Sequence, residues 1–382
     1  MVLAVWVTRL PAIKHQLRLS DGLLGLALLA IPAGVLAVTL VAGRIVDRAG
    51  SARLTRAGGI AMALLLPGPA LARGLWSLAG VLLVFGVAAG ALNVGMNAGG
   101  VALERLSVRR VITSMHAAYS LGALAGAVLG GLSARAGLSP LVTFTATGVL
   151  GVAAAAAAGQ WLVSHDLERN ATAPAGTRQP DGAVAGPPQR ARTPWRAHPA
   201  VLIALLGSIG LCALLGEGAV ADWSAVYLRD TLGTTAAFAA LGYAGFSVAM
   251  AAGRLAGDRL AARFGPVWLV RGGSLIAAAG MAAGLASGSP VGAVAGFAVL
   301  GAGLSGVAPQ VFLAGGQADP ARPGHSLAAV VGLSYLGMVG GPPAVGGLAS
   351  LTGLRLALWL PVALILAAAA LAGTVSVATD SR

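Results

Sequence analysis

Apolar segments of about 20 residues follow one another along this chain, separated by short polar loops. Lipid offers the backbone no hydrogen-bond partners, so segments this long and apolar must form helices that satisfy their own polar groups. Hydrophobic residues make up 57% of the chain and charged residues only 10%, which excludes a soluble domain of 382 residues. The sequence predicts an all-α integral membrane protein in the lipid bilayer. The apolar segments lie near residues 22–43, 57–72, 75–99, 111–134, 139–163, 200–221, 235–253, 266–286, 291–313, 326–350 and 354–377.

The first residues predict part of a further helix. Met1 to Thr8 are mostly apolar and are followed by Arg9, as in the outer part of a spanning helix whose first turns are absent. Because a spanning helix needs roughly 20 residues, we expect about twelve transmembrane helices, the first of them truncated.

One motif occurs twice, at matching places in the two parts of the chain. The first copy covers residues 43–50, and a looser copy covers residues 253–265. Their last residues, Gly50 and Gly265, lie 215 positions apart. Membrane proteins built from two similar halves are commonly transporters, because the halves can rock about a site between them. We therefore predict two pseudo-symmetric six-helix bundles.

A proline-rich stretch separates the two predicted bundles. Residues 164–198 contain five prolines among alanine, glycine and arginine, a composition typical of a flexible linker without a core. The predicted organisation is an N-terminal six-helix bundle at residues 1–163 with an incomplete first helix, a linker at 164–198, and a C-terminal six-helix bundle at 199–382.

Glycines extend the repeat beyond the motif. They let helix backbones approach closely, which is a main source of helix association in lipid. The same positions next to proline are open to a second interpretation, a local bend needed for rocking. The set comprises Gly122, Gly126 and Gly131, their counterparts Gly337, Gly341 and Gly346, and Pro342.

The basic residues predict the orientation. Of the 25, 18 fall in alternate loops on one side, Arg254 among them, and seven elsewhere, including Arg9 and Lys14. By the positive-inside rule, the linker and the C-terminus are expected to be cytoplasmic. The net charge of +13 then reflects topology, and we expect no nucleic-acid partner because the basic residues are spread over short loops.

The sequence contains no pattern typical of an enzyme. It has no phosphate-cradling loop, no metal-ligand spacing and no nucleophile with a base at motif spacing, so we expect no catalytic residues, no metal and no cofactor. Transport would then be driven by an ion gradient or by the gradient of the solute itself. The single cysteine, Cys212, lies in an apolar segment and is expected to serve packing.

The first copy of the motif resembles a family signature. Gly43-x-x-x-Asp47-Arg48-x-Gly50 followed by Arg53 is similar to the signature between the second and third helices of the major facilitator superfamily. Arg9-Leu10-Pro11 and residues 93–100 and 217–224 resemble a bacterial branch related to fucose permease and its inner-membrane relatives. The resemblance implies a monomeric, multi-pass transporter of the bacterial cytoplasmic (inner) membrane that works by alternating access. The second copy departs from the pattern, since Ala262 stands where Asp47 would be mirrored.

The motif predicts a gate on the side of the linker. Asp47 can accept hydrogen bonds from Arg48 or Arg53, or it can face the positive N-terminus of a neighbouring helix. The family resemblance implies that this contact acts as a latch that favours the state open to the outside. The alternative is that these charges only anchor the loop and set topology. The gate set is Gly43, Asp47, Arg48, Gly50, Arg53, Asp258, Arg259, Arg263 and Gly265.

Ionisable and amide groups inside the apolar segments are the candidates for solute and proton chemistry, because burying them is expensive unless they are used or paired. Glu217 is favoured as a proton carrier, in the outer half of its segment, with a structural pair to Arg9 as the alternative. Asp222 is expected at a solvated helix end. The candidate set is Arg9, Asn93, Asn97, His116, Glu217, Gln310 and His325.

The remaining candidates keep two interpretations each. Asn93 and Asn97 share a helix face and offer amides either to a hydroxylated solute or to a neighbouring helix. His116 and His325 lie at corresponding places in the halves and either titrate near neutral pH or are structural. The aromatic residues Trp6, Trp223 and Tyr227 are expected to be interfacial anchors or, alternatively, to stack on a sugar ring.

The predicted function is secondary active transport of a small polar, sugar-like solute, coupled to protons as a symporter. Two alternatives are a proton-driven exporter of amphiphilic compounds with the same fold and a transport-inactive receptor that signals through the linker.

Overall fold

The computed structural model describes residues 1–106, 112–162, 198–319 and 321–379, and within them every regular element is a helix. Ten helices are long and apolar enough to span a membrane, and two further helices, α1 and α5, complete the expected series. The helices are α1 Val2–Gln16, α2 Asp21–Ala49, α3 Ser51–Leu71, α4 Leu75–Leu106, α5 Ile112–Arg135, α6 Pro140–Trp161, α7 Pro199–Thr231, α8 Ala236–Phe264, α9 Pro266–Ser287, α10 Pro290–Gly315, α11 Pro323–Thr352, α12 Leu354–Leu371 and the short α13 Thr374–Thr379.

The ends of the helices repeat between the two halves of the chain. Ser20 caps α2 by accepting a hydrogen bond from the amide of Leu23, and Thr235, at an offset of 215, caps α8 by accepting from the amide of Phe238. Gly50 and Gly265, again 215 positions apart, have φ of 84° and 81° and turn the chain into α3 and α9. Only glycine adopts this backbone region at little cost, so the same residue is used at both turns.

Helix packing follows the same repeat. In the first half, α1 packs on α5 and α6, α2 on α4, and α3 on α4 and α6. In the second half, α7 packs on α11 and α12, α8 on α10, and α9 on α10 and α12. Each contact thus recurs six helices later, which is the arrangement of two pseudo-symmetric six-helix bundles.

The chain crosses back and forth between two faces. The linker face is the one at which α6 ends and α7 begins, and it carries the turns at Gly50 and Gly265. The far face carries the loops at residues 17–20, 72–74, 136–139, 232–235 and 288–289. The halves meet through α2 with α11, α5 with α8, and α1 with both α7 and α8.

The halves contact each other closely at the far face. A β-carbon on Gly25 of α2 would lie 2.5 Å from the carbonyl oxygen of Pro342, and one on Gly131 of α5 would lie 3.3 Å from Cβ of Ala240 in α8. Toward the linker face, by contrast, a β-carbon on Gly43 or Gly257 would meet nothing within 4 Å. Tyr119 and Tyr335, from the linker-side parts of α5 and α11, are also 51% and 41% exposed. Among the described residues, this conformation is therefore closed at the far face and open toward the linker face.

The repeated glycines lie where helices come closest. Gly126 faces the backbone of Met1 in α1, and Gly337 faces the backbone of Leu211 in α7, the helix that corresponds to α1. Gly341 also packs on α7 and Gly122 on α1, while Gly131 and Gly346 contact the opposite half. The helix α11 continues through Pro342 and Pro343 without interruption. The close approaches themselves require residues without side chains.

Two neighbouring glycines of α11 provide a test of this packing. A β-carbon on Gly346 would lie 2.7 Å from the carbonyl oxygen of Asp21 and 3.0 Å from Cα of Gly25, whereas one on Gly347 would meet nothing within 4 Å. We expect Gly346→Ala to destabilise the far-face contact by about 1–3 kcal/mol through overpacking. Gly347→Ala should be neutral or slightly stabilising, because alanine is the better helix former. The measurement is the melting temperature of both variants in detergent, and equal values would contradict this account.

Candidate functional site

The centre of the candidate site is an ion pair between Glu217 of α7 and Arg254 of α8. The Oε1 atom of Glu217 lies 3.7 Å from Nη2 of Arg254, and the side chains are 29% and 35% exposed. Their separation is longer than a hydrogen bond. Glu217 lies near the middle of the 33-residue helix α7. A loose, partly exposed ion pair near the middle of a helix long enough to span a membrane is a group that a solute or a proton can rearrange.

Tyrosines from both halves surround this pair. Tyr119 of α5 lies within electrostatic range of Glu217 and Arg254, and Tyr335 of α11 and Tyr243 of α8 lie within range of Glu217. Tyr119 and Tyr335 are 51% and 41% exposed. Three of the four tyrosines of the chain therefore lie within electrostatic range of Glu217. Their hydroxyl groups donate and accept hydrogen bonds, which suits a polar solute.

The position of Glu217 differs from the sequence prediction. The segment was expected to end near residue 221, which would have placed Glu217 in its outer half. In the structure α7 continues to Thr231, so Glu217 lies near the middle. The polar residues after position 221 do not end the helix, because buried side chains continue as far as Leu228.

The alternative partner for Glu217 was wrong. Arg9 is 5% exposed, and its Nη2 atom donates to the carbonyl oxygen of Leu138 at 2.5 Å. It therefore ties α1 to the loop before α6. Arg254, expected among the basic residues of the linker-side loops, lies within α8 and provides the partner instead.

Asp222 is a second carboxylate in α7, five positions after Glu217. It is half-buried within the helix and lies within electrostatic range of Tyr243. The expected solvated helix end is therefore wrong. Among the residues that the structure describes, no cation lies within ion-pair distance of Asp222.

The amide candidates bond to each other. The Nδ2 atom of Asn97 donates to the backbone oxygen of Asn93 at 2.8 Å and to its Oδ1 atom at 3.3 Å. This is a contact within α4 and not the interhelical bond that was one of the two interpretations. Gln310 is half-buried in α10. Among the described residues, no hydrogen bond joins these three side chains to the Glu217–Arg254 pair.

The two histidine candidates have different outcomes. His325 is exposed and is the third residue of α11, so it lies at the linker face and not within the bundle. The side chain of His116 lies outside the residues that the structure describes.

The aromatic residues expected at the membrane interface are instead buried. Trp6 packs on Phe144 with 6.2 Å between ring centroids, and Tyr227 makes an edge contact with Phe297. Trp223 is also fully buried, and its ring touches the position that a β-carbon on Gly346 would take. All three residues belong to the protein core and not to a lipid-facing belt.

The gate motif lies at the linker face, at the end of α2. Asp47, Arg48 and Arg53 are exposed, and within the described part of the chain Asp47 makes no ion pair with either arginine. In the second copy Arg259 is exposed, and Arg263 lies over the ring of Phe264 at 5.3 Å from its centroid. The side chain of Asp258 is outside the described residues. Neither of the two arginine pairs predicted for Asp47 is therefore formed among the described residues.

Sequence reasoning missed the tyrosines and the role of Arg254. The sequence contained a signal for two of the tyrosines. Tyr119 and Tyr335 lie 216 positions apart, which is close to the offset of 215 between the two copies of the motif. Arg254 was assigned to the motif copy, and only the packing of α7 on α8 reveals its partner.

Comparison with known proteins identifies relatives over almost the whole chain, although no family model matches. An uncharacterised MFS-type transporter of Yersinia pestis is 32% identical over 376 residues, which is 98% of this chain and 92% of that protein. The membrane protein MosC of Rhizobium meliloti is 30% identical over 95% of this chain and 84% of its own length.

Solved structures with the same fold are more distant in sequence. A point mutant of the nucleoside transporter NupG aligns with a TM-score of 0.72 at 12% identity, covering 98% of this chain and 96% of NupG. A D-xylose-proton symporter aligns with a TM-score of 0.70 at 14% identity, over 97% and 94%. A bacterial homologue of the human lysosomal transporter Spinster, in an inward-facing and unoccupied conformation, gives 0.70 at 17%, over 100% and 95%.

The ion pair can be tested without a solute. We expect Arg254→Gln to destabilise the protein by roughly 1–2 kcal/mol, because it leaves the Glu217 carboxylate unpaired. This is less than for a fully buried pair, since both side chains are about a third exposed. The double variant Glu217→Gln with Arg254→Gln should recover most of the loss. Melting temperatures of the four proteins of this cycle measure the coupling, and strictly additive effects would contradict the pairing.

Proposed function

The chain belongs to the major facilitator superfamily of membrane transporters, and we propose that it carries a small polar, sugar-like solute by proton-coupled symport. The transporter is a multi-pass membrane protein and not an enzyme. The solute class and the coupling to protons form the proposal.

The observation that carries the proposal is the arrangement around Glu217. A carboxylate inside a membrane protein is costly and is kept where it is used. Protonation of Glu217 would cancel its attraction for Arg254 and release the guanidinium group to donate hydrogen bonds. The hydroxyls of Tyr119 and Tyr335 lie on the same site and suit a hydroxylated solute. Solute and proton would thus be bound together.

The support that known proteins give to the proposed solute class comes from structures that share the fold. Two neighbours with the same fold are a D-xylose-proton symporter and a nucleoside transporter, and both names describe polar, hydroxylated solutes. The relationship to the fucose-permease branch remains a prediction.

The orientation is also proposed. The linker face carries most of the basic residues, so we place it and the C-terminus in the cytoplasm of a bacterium, with the protein as a monomer in the inner membrane. The conformation described above is then open to the cytoplasm.

The absence of a pair between Asp47 and Arg48 or Arg53 among the described residues fits this orientation. A latch between α2 and the neighbouring helices would engage only when the halves close at the linker face. Asp47 and Arg48 are exposed in a conformation that is open there. Asp47 would therefore stabilise the opposite state, in which the solute site faces outward.

Proton movement in proteoliposomes tests the coupling. A panel of sugars, polyols and organic acids is added outside the vesicles, one compound at a time. Only a solute that is carried inward with protons should raise the external pH. We expect Glu217→Gln to lose at least 90% of this signal and of uphill accumulation. It should keep solute exchange across the vesicle membrane, because exchange needs no net proton movement. The matched control is Asp319→Asn, an acidic residue of the linker-face loop that caps the amide of Ala321.

Two results would contradict the proposal. Full accumulation by Glu217→Gln would exclude it as the proton carrier. Proton-driven movement of amphiphilic dyes out of the interior, with no response to polar solutes, would establish the exporter instead.

A second test concerns the gate motif. Asp47→Asn should lower turnover by about tenfold while leaving membrane insertion and the apparent solute affinity at the cytoplasmic side intact, because only the outward-facing state loses stabilisation. Initial rates of uptake and the amount of folded protein should be compared with the Asp319→Asn control. Normal turnover in well-expressed Asp47→Asn would leave the motif only a role in anchoring the loop.

A further inference from the structure

A cluster of charges joins the two halves at the far face. Lys14, near the end of α1, places Nζ 2.6 Å from Oδ1 of Asp21 at the start of α2 and 2.6 Å from Oδ2 of Asp230 near the end of α7. The Nε2 atom of His15 lies 2.7 Å from Oδ1 of Asp230. Lys14 is the one lysine in the whole sequence, among 25 basic residues.

The two carboxylates around Lys14 belong to different halves. Asp21 lies in the same half as Lys14, whereas Asp230 lies in the other. The side chains of Lys14, Asp21 and Asp230 are 13%, 21% and 17% exposed, so water screens these pairs less than pairs on an open surface. Lys14 therefore makes one ion pair within its own half and one that connects the halves, and the contact of His15 with Asp230 connects them as well.

Beside the cluster, the halves meet through small residues. A β-carbon on Gly22 of α2 would lie 3.4 Å from Cβ of Ser350 in α11, and Gly131 faces Ala240 in the same way. Contacts between small residues allow close approach, but they are smooth and weakly directional. The cluster supplies the directional attraction at this face, and it lies beside the α2–α11 contact because the carbonyl of Asp21 also faces Gly346.

We propose that Lys14 is the gate residue of the far face and that its ion pair with Asp230 must break before this face opens. Asp21 keeps the ammonium group paired after the halves separate, so opening costs one ion pair and leaves no bare cation. Asp230, which loses both Lys14 and His15, becomes hydrated. The inference rests on alternating access, but it is independent of the solute and of the coupling ion.

The test measures the population of each conformation by cysteine labelling. In a Cys212→Ser background, which has no other cysteine, Ala240→Cys reports the far face, because Ala240 is buried against α5. Tyr335→Cys reports the side open to the linker face. We expect Lys14→Gln to raise the rate of maleimide labelling at position 240 at least fivefold and to lower it at position 335. Asp230→Asn should act in the same way.

Matched variants separate gating from general loosening. Asp21→Asn leaves the pair between the halves in place but removes the carboxylate that keeps the ammonium group paired after opening, so it should not raise the labelling rate at position 240. Arg18→Gln removes an exposed positive charge from the same face and should have no effect, and Lys14→Arg should keep the original rates.

Three outcomes would overturn the proposal. The first is an unchanged labelling rate in Lys14→Gln. The second is a higher labelling rate at both reporter positions, which indicates a loosened protein. The third is an equal effect of Asp21→Asn and Asp230→Asn on the labelling rates. No solute is needed for the measurement, so its failure is distinct from a failure to find proton-coupled transport.

Discussion

The close approach of helix backbones is the constraint on which the rest of this structure depends. Lipid removes the hydrophobic driving force between helices, so association relies on van der Waals contact and on the few polar groups available. The chain contains 57 glycines, and pairs such as Gly273 of α9 with Gly303 of α10 bring two backbones together without side chains between them. The same property makes the interface between the halves smooth. A smooth interface can separate and close again without many side chains changing rotamer.

Each ionisable group that the structure describes within the bundles is handled differently, and the differences separate structure from function. Arg9 is almost completely buried and is fixed by the carbonyl of Leu138, so it serves the fold. Glu217 and Arg254 are paired loosely and are partly exposed. Asp222 has no cation within ion-pair distance among the described residues. The groups that remain rearrangeable are therefore on α7 and α8, between the halves, where a transported solute must pass.

The sequence was sufficient to predict the helices, the two halves and the family, because these depend on apolar runs and on an offset that recurs at Ser20 and Thr235 as well as in the motif. It was not sufficient for the site. The partner of Glu217 depends on the rotation of α7 against α8, and the contact of Lys14 with Asp230 joins residues on different bundles. The apolar run also predicted too short a helix for α7, which continues to Thr231. Its residues after position 221 are buried by neighbours from other helices as far as Leu228. Tertiary contacts decided each of these features.

The scaffold is symmetric, but its chemistry is not. Trp6 of α1 corresponds to Trp223 of α7 at an offset of 217, and the position that matches Asp222 in this register is Val5, a fully buried apolar residue. Asp222 therefore lacks a counterpart in the first half. The first half instead contributes Tyr119, which approaches Glu217 from across the interface. In the proposed cycle, rocking moves the halves relative to each other, so the environment of Glu217 changes with access, while Arg254, which is in the same half, can remain beside it. The proposed cycle in this way links a conformational change to the charge at one position, and that link is what coupled transport requires.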